Sequence, residues 1–317
     1  MSYNRKEVFT VAFYNVENLF DTVSDPHTND DKFTPKGERK WNYNRYWKKI
    51  KKISHVISQI GKDTSGHLPV LVGLVEVENT TVLNDLTTHK NLINYGYRYI
   101  HYESKDERGI DTALIYRDEF FDPVSSKRYH FDFEDEDGTL DFSRDVLSVS
   151  GFLNGELVHI IVNHWPSRRE GKEETDPKRF RAAEIVHEAI QDIKAKDEQA
   201  KIIIMGDFND NPTDKSIQDY LMTEEFFNPM EKLHKKDAGT LTFKKEWHLF
   251  DQIIVSNEFL EEGHSDHQFL KAKIFNKKWL QTHKGKYKGS PYRTYIGPWY
   301  KGGFSDHFPV YMHMTKR

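Results

Sequence analysis

The chain of 317 residues contains no cysteine. That excludes disulfides, thiolate nucleophiles and sulfur-ligated zinc, and leaves chemistry to Asp, Glu, His, Asn and the basic residues. No apolar run approaches the roughly 18–20 residues that a membrane helix needs. The opening MSYNRKEVF lacks the apolar core of a secretory signal. A cytoplasmic protein without membrane insertion is therefore expected, unless Met1 stands where a leader was replaced. Three catalytic signatures are also missing: HExxH, GxSxG, and GxxxxGK followed by Ser or Thr. His187-Glu188 has no second histidine four residues after the first. No repeat, linker or composition break divides the chain, so residues 1–317 are expected to form a single domain, and no obligate protein partner is evident.

Acid is scarce in two places. The net charge is −4, which gives no global attraction to nucleic acid, yet Arg39–Lys52 (RKWNYNRYWKKIKK) holds seven basic residues and no Asp or Glu. From His267 to Ser305 there is again no acid, with nine Lys or Arg interleaved with Phe269, Phe275, Trp279, Tyr287, Tyr292, Tyr295, Trp299, Tyr300 and Phe304. Cations among aromatics suit a phosphate backbone with stacking bases, and equally a solvated surface over a core. The acidic run Asp132–Asp137 reads as an exposed loop.

Strand-like and helix-like segments alternate. Glu7–Asn15, Pro69–Val75, Asp111–Tyr116, Ile202–Met205, Gln252–Val255, Gln268–Phe275 and Phe308–Met312 read as strands. Asn154-Gly155 between Asp145–Leu153 and Leu157–Asn163 is a hairpin signal. Tyr43–Ile60 carries Trp47, Ile50, Ile53, Ile57 and Ile60 at helical spacing, and Asn79 is expected to cap a helix. Asp176-Pro177 is expected to open a helix whose apolar face is Phe180, Ala183, Val186, Ala189, Ile190 and Ile193. Hairpins plus a few helices point to mixed sheets: an α+β fold in which two sheets pack face to face with helices outside.

The chemistry gathers at strand ends. In KIIIMGDFNDNP the buried-looking Ile202–Gly206 gives way to Asp207, Asn209, Asp210 and Asn211. A turn would use the same residue types. A hard divalent cation would also use them, because a rigid strand end positions oxygen ligands well. Asp207 and Asn209, two apart, are expected to face one side. Five other segments repeat the pattern: Asn15 after FTVAFY, Glu76 after VGLV, Asn163-His164 before PSRR, Asp251 opening DQIIVS, and Asp306-His307 before FPV. A lone carboxylate such as Glu76 at the end of an apolar run is costly without a cation.

In this order FYNVENLF, LVEVEN, NHWPS, GDFND, FDQIIVS and SDHFPV resemble the endonuclease/exonuclease/phosphatase superfamily over about Phe9–Val310, and RGIDTALIYR and GGFSDHFPVY resemble a bacterial subgroup. The resemblance implies a four-layer αββα sandwich of the deoxyribonuclease I type and hydrolysis of a phosphodiester with Mg²⁺ or Mn²⁺. Glu76 and Asp306 are then expected to hold the metal with Asn15 beside them. Asp207 would orient or deprotonate the attacking water, Asn209 hold the phosphate or a second ion, and His307, oriented by Asp251, contact the phosphate. His164 would donate to the phosphate or leaving group. By analogy Glu103 would orient His164 and Arg144 bind phosphate, with Asn163 and Arg168 also at the substrate. Of the two SDH tripeptides, Ser305-Asp306-His307 is expected to be catalytic. Ser265-Asp266-His267, beside His264, is expected to be a polar turn. A nuclease acting on nucleic acid is the leading expectation. A phosphatase or phosphodiesterase for inositol phosphates or phospholipid headgroups is the alternative, and an inactive binding protein the second.

Overall fold

The computed structural model describes residues 7–134, 138, 140–243, 245–261 and 265–316. Met1, His264 and part of the acidic run lie outside the described residues.

Twelve strands form two six-stranded mixed sheets. The first contains β1 (Glu7–Leu19), β2 (Leu71–Val77), β3 (Tyr97–His101) and β4 (Asp111–Arg117). The second begins with β5 (Phe121–Tyr129), β6 (Val146–Leu153), β7 (Glu156–His164), β8 (Ile202–Asp207), β9 (Phe226–Phe227) and β10 (Asp251–Ser256). The chain then returns to the first sheet with β11 (His267–Ile274) and β12 (Val310–Lys316). The orders are β11-β12-β1-β2-β4-β3 and β9-β10-β8-β7-β6-β5. Each sheet is centred on one parallel pair, β1 with β2 and β7 with β8, and all other pairs are antiparallel.

Alternation along the strands explains the layers. Val11 and Phe13 of the first sheet share the inter-sheet core with Ile160, Ile203, Met205, Ile253 and Val255 of the second. Ala12 and Tyr14 face outward onto α1 (Tyr43–Ile57) and α2 (Thr80–Thr87), and Ile202, Ile204 and Ile254 onto α3 (Lys172–Lys194). The result is the expected four-layer α+β sandwich. Close approach fixes Gly73: a Cβ there would lie 2.5 Å from Met205 Sδ of the opposing sheet.

Several elements match the sequence closely. Asn79 caps α2 through Val82 N–H, and Asn154-Gly155 turns the β6–β7 hairpin with both residues at positive φ. Helix α3 differs: it starts at Lys172, a turn before Pro177. Its buried face includes Arg179, while Phe180 is only half-buried and stacks on Tyr220 at 4.0 Å. Among the described residues no helix is long and apolar enough to cross a membrane.

Candidate active site

Parallel neighbours end at the same sheet edge, and antiparallel neighbours begin there. Asn15 pairs with Val75, and Asp207 with both His164 and Asp251. Phe13 pairs with Val310, which puts the preceding Asp306-His307 at that edge too. Parity then selects the face. Asn15 follows Val11 and Phe13, His164 follows Ile160 and Val162, and Asp207 follows Ile203 and Met205, all residues of the inter-sheet core. Their side chains therefore converge between the sheets.

Glu76 breaks the parity. Val72 and Leu74 face the helices, so an unperturbed strand would send Glu76 outward with them. Instead Glu76 sits at φ 64°, where the β2 register shifts, and its Oε2 accepts the N–H of Asn18, at φ 51° on the facing β1 bulge, at 2.7 Å. Bulges re-aim side chains in this way. Glu76 Oε1 comes within 3.9 Å of His164 Nε2 on the other sheet. With Glu17 (φ 52°) and Asn209 (φ 50°), four non-glycine residues around the site hold left-handed backbone, at about 1–3 kcal/mol each.

His307 Nδ1 lies 2.7 Å from Asp251 Oδ2, both side chains buried. Its Nε2 is 3.8 Å from Asp207 Oδ2 and 4.0 Å from Asp306 Oδ1. Burial works against the charged ring, but Asp251 and Asp207 prevail and raise its pKa well above the usual histidine value. Asp207 is pushed up to about 6 by burial, against the pull of His307; Asn15 Nδ2 donates to its Oδ2 at 2.9 Å and Asn209 N to its Oδ1 at 3.0 Å. His164 is kept neutral by burial and by the cations Arg144 and Arg108. Arg144 Nη2 is 2.9 Å from His164 Nε2, and Asp106 holds Arg144 from behind at 3.2 Å.

A cleft of about 180 Å³ opens beside this cluster, lined by Glu17, Asn18, Glu76, Arg169, Arg293 and Asp306 among others. The donor set fits a hard divalent cation. Glu76 Oε1 and Asp306 Oδ1 are carboxylate oxygens without a hydrogen-bond donor among the described residues, while their partners Oε2 and Oδ2 are held by Asn18 and by Arg293 at 2.6 Å. Asp207, Asp251 and His307 also lie close enough together to be ligands of one ion. The 2.7 Å His307–Asp251 bond already explains that cluster, and a metal there would have to displace it.

The structure brings Asn15, Glu76, Arg144, His164, Asp207, Asp251, Asp306 and His307 together. Asn15 arrives differently from expected: its Oδ1 accepts Glu17 N–H and its amide donates to Asp207, so it orients that carboxylate. Asn209 leaves the strand and shares no face with Asp207; its Nδ2 donates to Trp165 O. Asn163 alternates to the outer face, and its Nδ2 donates to Met205 O. Arg168 is pinned to Asp210 and Asp214, away from the cleft, and Asp210 also pairs with buried Arg179 at 2.9 Å. Glu103 is exposed, and the buried carboxylate behind His164 is Asp106, acting through Arg144. Arg169, Arg293 and Glu17 were not anticipated, although Glu17 shows the same signal as Glu76, a carboxylate within an apolar strand.

The first SDH lies at the opposite sheet edge, where His267 pairs with Lys316. Its histidine is fully buried and bonds Glu156 at 2.7 Å, tying the two sheets together.

Oxygen ligands, a charged imidazole and guanidinium groups converging between two mixed sheets form the layout of a metal-assisted enzyme for phosphoric esters. Residues 10–316 match the model of the Endonuclease/Exonuclease/phosphatase family, and the chain belongs to that family. No curated protein matches it. Among solved structures it resembles a humanized D. rerio TDP2 carrying 14 mutations (14% identity, 97% of this chain and 99% of that chain, TM-score 0.61). It also resembles a family protein from Bacteroides thetaiotaomicron (18% identity, 98% and 95% covered, TM-score 0.60). A mannosyl-6-phosphatase from Bacteroides thetaiotaomicron is similar too (19% identity, 96% and 99% covered, TM-score 0.58). These likenesses are of fold.

Proposed function

We propose that this chain, acting as one domain, is a phosphodiesterase that cleaves nucleic acid with Mg²⁺ or Mn²⁺. The observation that carries the reading is the position of His307: held charged by Asp251, its Nε2 faces Asp207 at 3.8 Å and Asp306 at 4.0 Å beside the cleft. Phosphoryl transfer to water needs a proton acceptor, charge neutralisation and a fixed phosphate. Asp207, with its pKa raised to about 6 and both oxygens oriented by Asn15 and Asn209, suits the proton acceptor. His307 donates Nε2–H to a phosphate oxygen, and neutral His164 supplies a second, uncharged contact. Arg169, with no carboxylate partner among the described residues, offsets phosphate charge. Glu76 and Asp306 would hold the divalent ion, which would supply Lewis-acid stabilisation of the phosphate.

The test is a hydrolysis panel with Mg²⁺, Mn²⁺ or EDTA. Substrates are plasmid, abasic duplex, single strands, RNA, inositol phosphates and sphingomyelin, with Asp207→Ala as control. Metal-dependent cleavage of a nucleic acid, lost in Asp207→Ala, supports the reading. A phosphatase acting on a phosphorylated sugar or headgroup is the second reading, favoured by the four guanidinium groups of Arg108, Arg144, Arg169 and Arg293 around the acids, which suit a dianionic monoester. Turnover of the small phosphates alone would establish it instead.

A further inference from the structure

The two acid-free basic segments of the sequence meet in the structure. Arg45 of α1 lies 4.3 Å from the Tyr300 ring centre, Arg39 5.1 Å from that of Tyr295, and Lys52 4.3 Å from that of Phe304. Tyr295–Ile296 and Trp299–Tyr300 form a short hairpin around Gly297-Pro298. This hairpin is fixed firmly. Arg39 donates to Gly297 O, Glu17 Oε2 accepts Thr294 N–H at 2.6 Å, and buried Lys49 donates to Thr294 Oγ1 and Phe304 O at 2.6 Å each. Arg39, Tyr295 and Gly297 also line the cleft, so hairpin and cleft share a wall. On this rigid, cationic ridge Trp299 is 70% exposed. A single exposed apolar side chain needs no explanation by itself. Here the exposed indole stands on a cation-flanked hairpin that shares a wall with the cleft.

We propose that the ridge binds single-stranded nucleic acid where it leaves the cleft, with an unpaired base stacked on Trp299 and phosphates on Arg45 and on the exposed Lys48, whose Nζ lies 5.9 Å from the Tyr300 ring centre. The inference rests on the nuclease reading of the site and adds its strand preference. Stacking on an exposed ring requires an unpaired base, whereas the cations answer any phosphate backbone. The ridge therefore discriminates through Trp299 and attracts through its charge.

The experiment is fluorescence anisotropy of a labelled phosphorothioate single strand in EDTA, with wild type, Trp299→Ala, Trp299→Phe and Arg45→Ala, across a salt series. Trp299→Ala should bind about tenfold or more weakly, and Trp299→Phe should recover most of the loss. Arg45→Ala should reduce the salt slope by about one. In cleavage assays with Mn²⁺, Trp299→Ala should raise KM for the single strand with kcat within about twofold. Affinity of Trp299→Ala within about twofold of wild type overturns the proposal. Equal affinity of wild type for blunt duplex overturns it, and so does tighter binding to phosphatidylserine vesicles than to the oligonucleotide. Wild-type hydrolysis of bis(p-nitrophenyl) phosphate separates the two layers. No hydrolysis overturns the underlying phosphodiesterase reading, whereas hydrolysis with unchanged binding by Trp299→Ala overturns the ridge alone.

Discussion

Arg168 and Arg169 are adjacent in the sequence and opposite in role, which makes their alanine variants a sharp pair. Arg168 spans Asp210, which is 1% exposed, and Asp214, and its Nε donates to Asn209 O at 2.6 Å. Removing it leaves Asp210, among the described residues, with the side-chain partners Arg179 and Ser216. Because Arg179 still compensates the Asp210 charge, the loss is that of the charge-assisted hydrogen bonds, about 2 kcal/mol. With an unfolding entropy of about 0.7 kcal/mol/K for a chain of this length, that is a fall in Tm of about 3 °C. Arg169 has no such structural partner among the described residues; partial desolvation and the neighbouring cation Arg108 lower its pKa. Losing its charge-assisted contact to phosphate, about 2–3 kcal/mol, should lower kcat/KM about 30- to 150-fold with Tm within about 1 °C. Thermal melts and steady-state kinetics on both variants decide the matter. Loss of activity in Arg168→Ala at unchanged Tm, or early melting with normal turnover in Arg169→Ala, would reverse these two roles.

The two SDH motifs give a second contrast. His307→Ala and Asp251→Asn should each lower kcat by about 10³-fold or more, by analogy with other oriented histidines; His267→Ala should keep wild-type kcat/KM and lose several degrees of Tm by calorimetry. Glu156 gives a pH dependence. Burial alone would raise its pKa, but hydrogen bonds from His267, Ser265 and the N–H groups of Asp266 and His267 lower it to about 2, against 4.5 for a free glutamate. A depressed carboxylate stabilises the fold above its unfolded pKa and loses that contribution as pH falls through the folded one. Urea denaturation should therefore show about 2–3 kcal/mol lost between about pH 4.5 and 2, and Glu156→Gln should flatten that limb; an unchanged limb would sink the assignment. EDTA should abolish cleavage, and Mn²⁺ should restore it in wild type but not in Glu76→Gln at the same concentration.

Much of the candidate site's placement was legible because strand alternation is a local property. Asp207, His164 and Asp251 end or begin apolar strands, and parity carries each onto the inner face. Most of the differences have equally local causes. Asn163 differs from His164 by one residue, and one residue reverses the face. Asn209 leaves the strand through a left-handed turn that composition alone does not distinguish from extended chain. The irregular PSRR segment offers no period from which to choose between Arg168 and Arg169. Glu17 and Lys49 come from distant segments, and only tertiary packing of α1 against the 292–305 segment joins them. The start of α3 was misplaced because Pro177 favours a first helical turn, yet Thr175 Oγ1 and Gly171 O close an earlier one at 2.6 Å.

Glu76 and Asp306 are proposed to share one divalent ion at the cleft. A crystal grown with Mn²⁺ and measured at the manganese absorption edge tests it directly. An anomalous peak is expected beside the Glu76 Oε1 and Asp306 Oδ1 oxygens, lost in Glu76→Gln. An ion seated instead among Asp207, Asp251 and His307, with the His307–Asp251 bond broken, would contradict it.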